Sequence, residues 1–195
     1  PTGIAALIVT LQPILTNALA GKFLDEKVTF KQWIGVILGF IGAALVLGFD
    51  IGSSLPVIGV IASFIALLAI TTSTLWQKKI SNDLPLSVSN MYQAIGGCFF
   101  HIIIIFIFTE PYINFTSTFL IAMSHQIFLV SFGAFTILMF LIKNNSASKT
   151  VSIFFLIPPT TAIMAWLFLN EKLNNLDLIG FAVATFGVYI ATRKQ

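Results

Sequence analysis

Apolar residues run along this chain in seven long blocks, at 3–21, 33–49, 56–76, 87–109, 118–142, 149–169 and 176–192. Polar or turn-forming stretches separate them: Lys22 to Lys31, Asp50 to Leu55, Lys78 to Leu86, Glu110 to Ser117, Lys143 to Lys149 and Asn170 to Asn175. A helix that crosses a bilayer needs about 20 mainly apolar residues. The pattern therefore predicts seven transmembrane helices and an all-α, polytopic membrane protein. The blocks at 33–49 and 176–192 are short, so they need local thinning of the bilayer or little tilt. None alternates with period two, which excludes a membrane β-barrel.

Composition agrees. Of 195 residues, 57% are apolar and only 9% charged, where soluble domains carry about 25%. That excludes a water-soluble enzyme and a disordered chain. The net charge of +3 is too small and too scattered for a nucleic-acid binder. Cys98 is the single cysteine, so neither an intramolecular disulfide nor a paired-cysteine metal site can form. The chain opens with no basic n-region, short apolar core or cleavage site, so a signal peptide is not expected. The chain opens apolar at Pro1 without Met, which leads us to expect that it starts inside a larger protein.

Charge orients the spans. Lys22, Lys27, Lys31, Lys78, Lys79, Lys143, Lys149, Arg193 and Lys194 fall in loops on one side, and only Lys172 falls on the other. Cytoplasmic loops carry the Lys/Arg excess. The C-terminus is expected in the cytoplasm and the start of the chain outside, in a bacterial inner (plasma) membrane. The loops at Asp50 and Glu110 are then external. The acidic residues also fall in loops, except Asp177 at the start of the last block.

The chain repeats itself. Leu24-Asp25-Glu26-Lys27 returns 145 residues later as Leu169-Asn170-Glu171-Lys172. At the same offset Leu11 meets Leu156, Pro13 meets Pro158, Thr16 meets Thr161, Gly35 meets Gly180 and Gly42 meets Gly187, with no gap. The first copy covers spans one and two, the second spans six and seven. Five spans separate them, an odd number, so they cross the membrane in opposite directions. Inverted repeats of this kind are typical of secondary transporters. A five-helix unit used twice gives an expected ten spans, three more than are present.

The stretch "LQPILTNALAGKFLDEKVTFKQWIGVILGFIGAALVLG" resembles the fourth and fifth helices of the drug/metabolite transporter superfamily, EamA type. "ITTSTLWQKKI" (Ile70 to Ile80) resembles the end of that family's sixth helix. Ser146 to Ala191 resembles its ninth and tenth. The resemblance implies that 1–50 forms the last two helices of a first EamA-like repeat and 51–195 a second repeat of five. Helices one to three have no counterpart here. The motifs mark the superfamily and leave the substrate open.

Polar residues inside the spans are the candidates for a substrate cavity. Gln12, Thr16 and Asn17 share a helical face, and Thr160 and Thr161 sit at the equivalent level of the sixth span. Trp76 and Gln77 close the third span, and Tyr92 and Gln93 lie early in the fourth. The resemblance supports an amide at Gln93. The alternatives are interhelical hydrogen bonding for the threonines and an interfacial belt for Trp76. Pro13, Pro158 and Pro159 lack an N–H and should kink their helices, freeing carbonyls at Val9, Phe154 and Phe155. His101 and His125 are the titratable side chains inside spans, each roughly 10 Å from the external face by helical rise. Each is a proton or substrate contact, or a neutral ring bonded to a backbone carbonyl. No metal site is expected, and no cofactor. Glu26 and Glu171 are expected to favour the start of the next helix, with a gate ion pair as the alternative. Gly35, Gly39, Gly42, Gly180 and Gly187 should pack helices closely, within the chain or between the subunits of a homodimer.

The leading expectation is a secondary transporter of small organic metabolites or drugs, working by alternating access. A membrane-embedded enzyme would need a catalytic constellation, and none is present. A third reading is a non-transporting remnant lacking three helices. Apart from Asp177 at the start of the last one, the spans hold no Asp or Glu. A proton relay must then come from helices absent here or from the histidines, unless transport is exchange without protons.

Overall fold

The structure, a computed structural model, describes residues 2–48, 57–80, 84–108, 112–169 and 173–193. The loops at Asp50, Glu110 and Glu171–Lys172 fall outside the described residues. Seven helices are long and apolar enough to cross a membrane: Ile4–Leu24, Phe30–Leu47, Val57–Ile80, Leu86–Ile107, Ser117–Asn144, Ala147–Phe168 and Asn175–Thr192. They coincide with the seven apolar blocks to within a few residues at each end.

Three of these spans are interrupted. The first divides into α1 (Thr2–Val9) and α2 (Gln12–Leu24). The second is α3 (Phe30–Leu47), the third α4 (Val57–Ile80), the fourth α5 (Leu86–Phe108). The fifth joins α6 (Ser117–Ser124) to α7 (Phe135–Asn144) through a π-helical segment, His125–Ala134. The sixth joins α8 (Ala147–Ser152) to α9 (Ile157–Leu169) through the 3₁₀ turn Ile153–Leu156. The last is α10 (Asn175–Thr192).

The prolines stand at helix starts. Pro13 opens α2 and Pro158 and Pro159 open α9. The regular helix is interrupted about a turn earlier in each copy. The Phe154 carbonyl does not stay free: the Ile157 N–H donates to it. The 3₁₀ turn thus absorbs an acceptor that proline leaves without its usual partner.

The repeat is visible in the element bounds. α2, α3 and the start of α1 recur at the 145-residue offset as α9, α10 and the start of α8. Equivalent residues also cap equivalent helices. Thr29 and Gln32 form a capping box ahead of α3, and Asn174 and Asp177 form one ahead of α10.

The chain forms two compact units, one of Pro1–Trp76 with Asn145–Gln195 and one of Gln77–Asn144. In the first, α3 and α10 pack closely along their lengths. Glycine permits this. A Cβ on Gly35 would lie 2.5 Å from the Ala191 nitrogen and 2.6 Å from the Gly187 oxygen; one on Gly42 would lie 2.6 Å from the Gly180 oxygen. The reverse contacts hold, Gly180 against the Gly42 oxygen and Gly187 against the Gly35 oxygen, both at 2.7 Å. The helices therefore run antiparallel, backbone on backbone. Exchanging the copies by the 145-residue offset turns Gly35–Gly187 into Gly180–Gly42, the pattern a two-fold axis requires. Val36, Ala43, Val188 and Ala191 fill the seam, and Phe155 from the 3₁₀ turn covers Gly39. The glycines are thus engaged within the chain rather than left for a second subunit.

In the second unit, Lys143 donates to the Leu84 carbonyl at 3.1 Å, and Lys78 donates to the Lys143 carbonyl at 3.0 Å. A cation on the carbonyls of a helix's last turn satisfies acceptors the helix leaves open. The π-helical segment is not legible in the sequence. Its hydrogen bonds reach one residue further back, as between the Phe135 N–H and the Val130 carbonyl.

Gly42→Leu should destabilise the protein by about 1–3 kcal/mol, the usual cost of overpacking, because the facing groups are backbone and cannot yield. Gly97→Ala, where nothing lies within 4 Å of the added carbon, should leave it unchanged. Thermal unfolding in detergent, followed by helical circular dichroism, distinguishes them.

Candidate functional site

The first unit holds the polar face of α2. Gln12, Thr16 and Asn17 are 2%, 0% and 3% exposed. Pro13 starts the helix and sets the entry angle of this face. The Gln12 amide nitrogen donates to the Thr74 hydroxyl on α4 at 3.1 Å, and Thr74 donates in turn to the Ile70 carbonyl at 2.8 Å. Thr16 Oγ1 and both amide atoms of Asn17 are buried without a hydrogen-bond partner. Such groups are costly in a low-dielectric interior. They are the natural places for a ligand or water to supply the missing bonds.

Thr160 and Thr161 behave differently. Both are exposed, and their hydroxyls bond back to their own helix, Thr160 to the Leu156 and Ile157 carbonyls and Thr161 to the Ile157 carbonyl at 2.8 Å. Trp76 is also exposed, at 62%.

The second unit has its own polar cluster. Gln77 is 2% exposed. Its amide oxygen accepts from the Ser89 hydroxyl at 3.0 Å and from the Gln93 amide nitrogen. Gln93 also donates to Ser89 at 3.2 Å. The Gln77 amide nitrogen and the Asn90 carbonyl oxygen are buried without partners. The sequence reading found Gln77 and Gln93 but missed Ser89 and Asn90. Their spacing along α5, at 89, 90 and 93, could have identified them. Tyr92, next to Gln93 in sequence, points away and is 64% exposed.

His101 Nδ1 lies 2.7 Å from the Gly97 carbonyl of its own helix, the backbone-bonded alternative. His125 opens the π-helical segment and is exposed. Among the described residues no group of three His, Cys, Asp or Glu could hold a metal.

A further site lies at the lysine-rich end of the first unit. A cavity of about 240 Å³ is bordered by Glu26, Lys27, Gln32, Ser148, Lys149 and Arg193, among others. Glu26 is not placed as the sequence suggested. The start of the next helix, α3, is capped by Thr29 and Gln32. The Glu26 carboxylate instead reaches α8, accepting from the Ala147 N–H at 2.7 Å, the Ser148 N–H at 3.3 Å and the Ser148 hydroxyl at 2.9 Å. Asp25 makes this possible by taking a left-handed conformation, φ 55°, that turns the chain at the end of α2. Asp tolerates that region better than most residues.

Ser89→Ala should cost about 1 kcal/mol, the net worth of a typical hydrogen bond, since Gln77 and Gln93 both bond its hydroxyl. Trp76→Ala should change stability by about 0.5 kcal/mol or less. Detergent unfolding midpoints of the two variants, measured side by side, check the ranking.

The geometry meets its relatives here. An uncharacterized transporter of Bacillus subtilis (strain 168), YvbV, is 27% identical over 100% of this chain and 64% of its own length. An uncharacterized transporter of Archaeoglobus fulgidus is 23% identical over 100% of this chain and 69% of its own. One from Buchnera aphidicola, in the trpA 3′ region, is 30% identical over 96% of this chain and 63% of its own. The chain thus spans about two thirds of the length of these relatives. A solved crystal structure shares the fold, with a TM-score of 0.81 at 17% identity, over 98% of this chain and 67% of that one. The model of the EamA-like transporter family matches residues 1–48 and 57–193, and the chain, an integral membrane protein, belongs to that family.

Proposed function

We propose that the protein works as a secondary transporter of small organic metabolites, by alternating access between two inverted copies of one helical unit. The observation that carries this reading is the buried, unpartnered face of Thr16 and Asn17 just after the Pro13 break. A membrane protein keeps such groups at a cost, and an interrupted helix beside polar atoms is the usual make-up of a substrate path. Membership of the EamA-like family supports transport in general. The division into 1–50, the last two helices of a first repeat, and 51–195, a second repeat of five helices, remains part of the proposal. So does the topology, with the C-terminus and the Lys143–Lys149 region cytoplasmic.

The substrate we infer is neutral or zwitterionic. The candidate residues are amides, hydroxyls and aromatic rings, and the Asp177 carboxylate at the start of α10 is engaged in its capping box. Amino acids, nucleoside-like compounds and amphipathic drugs all fit. With His101 bonded to its own backbone, the histidines are not the proton carriers of this reading.

Vesicle uptake of a panel of such compounds tests it. Asn17→Ala and Gln12→Ala should depress flux of the responding compound by about tenfold, the worth of one good polar contact near 1.4 kcal/mol. His101→Ala and His125→Ala should leave both pH-driven flux and exchange intact. Loss of pH-driven flux alone in either histidine variant would assign the proton to that ring. Full flux in both α2 variants would place the substrate elsewhere.

A further inference from the structure

We propose that Glu26 is a latch between the two copies, holding the lysine-rich half of the first unit closed, and that its release opens this half. The proposal rests on the transport reading, but its geometry stands by itself. Glu26 follows α2, in the first copy. Its three bonds are all to the start of α8, in the second. The first N–H groups of a helix have no partners within it. Here Glu26 takes those of Ala147 and Ser148, while the side chain and carbonyl of Ser146 take those of Lys149 and Thr150. The bonds to a carboxylate are charge-assisted and strong. They tie the end of one repeated helix to the beginning of the other.

The repeat shows what the latch does. α2 packs against α8. The equivalent pair at the other end, α9 against α1, makes no comparable contact among the described residues. Burial follows the same division. Gln12, Thr16 and Ala20 are buried on α2, whereas their equivalents Ile157, Thr161 and Ala165 are exposed or half-buried on α9. Two copies of one unit therefore differ in the junction that Glu26 fastens.

The closed junction is also held at a cost. Thr16 and Asn17, on the buried face of the same α2 that packs against α8, carry unsatisfied polar atoms, and opening would give them water. The cavity beside Glu26, with Lys27, Lys149 and Arg193 on its border, offers the freed carboxylate both water and positive charge. A strong but replaceable tie set against buried unsatisfied groups leaves two states close in energy. That balance is what a gate needs.

The test is thiol labelling of the protein in membrane vesicles of both orientations. In a Cys98→Ser background, Thr16→Cys reports on the junction and Val36→Cys on the α3–α10 seam. Glu26→Gln keeps the shape of the side chain but loses its charge and one acceptor. It should raise labelling of Thr16→Cys by an impermeant maleimide about tenfold, from the lysine-rich side only, with Val36→Cys still protected. Glu26→Asp should lie between. Unchanged labelling, or an equal rise from both sides with Val36→Cys protected, overturns the latch. If Val36→Cys also becomes reactive, the variant has unfolded. Ser148→Ala, which removes one bond of the three, then decides: a smaller one-sided rise at Thr16→Cys upholds the latch, and none overturns it. The labelling needs no substrate. One-sided opening without flux of any compound would therefore sustain the latch while defeating the transport reading.

Discussion

Lipid is as apolar as leucine, so two helices in a bilayer gain little by covering apolar side chains with one another. What they can gain is dispersion, through close approach of backbones. Gly35, Gly42, Gly180 and Gly187 provide that approach between α3 and α10, and every other feature of the first unit is hung on it. Once the two helices are joined back to back, the segments that precede them are carried along. α2 leads into α3 and α9 leads into α10, and α2 lies against α8. The Glu26 contact and the burial of Asn17 depend on that alignment.

Much of this was legible in the residues. Seven apolar blocks gave seven spans because in a membrane the backbone must satisfy itself, and a helix is the simplest way to do so. The glycines at 35, 42, 180 and 187 announced a close interface. The gapless offset went further than expected, since even the capping boxes at Thr29 and Asn174 fall on equivalent positions. The candidate site residues divide by burial. Gln12, Thr16 and Asn17 were recognised as a polar face, and they are buried. Thr160, Trp76 and Tyr92 were placed with them by residue type, and each is exposed. A threonine can satisfy itself on its own helix, as Thr160 does, and an aromatic ring is at ease against lipid. Residue type alone does not separate these cases. The partner of Glu26 was missed because sequence proximity pointed to α3, while the N–H groups that needed an acceptor were 121 residues away, at Ala147. The π-helical segment at His125–Ala134 left no mark in the pattern, because it changes hydrogen-bond spacing without changing hydrophobicity.

The physical picture is of one stiff seam and one breakable junction. The seam is backbone against backbone and has no alternative partner. The junction is a carboxylate on amide groups, next to polar atoms that would rather be wet. Inverted copies make such a combination useful, because whatever closes one end has a counterpart at the other. On the transport reading we propose, the chain changes which side is open with small motions and without disturbing its tightest packing.

Hydrogen–deuterium exchange of the protein in lipid nanodiscs tests this division most directly. The account predicts that amides of Phe30–Leu47 and Asn175–Thr192 exchange slowest of all and stay slow under every condition, while those around Gln12–Leu24 and Ala147–Ser152 exchange faster and respond when Glu26 is replaced. Rapid exchange in α3 and α10, or a response confined to them, would contradict it.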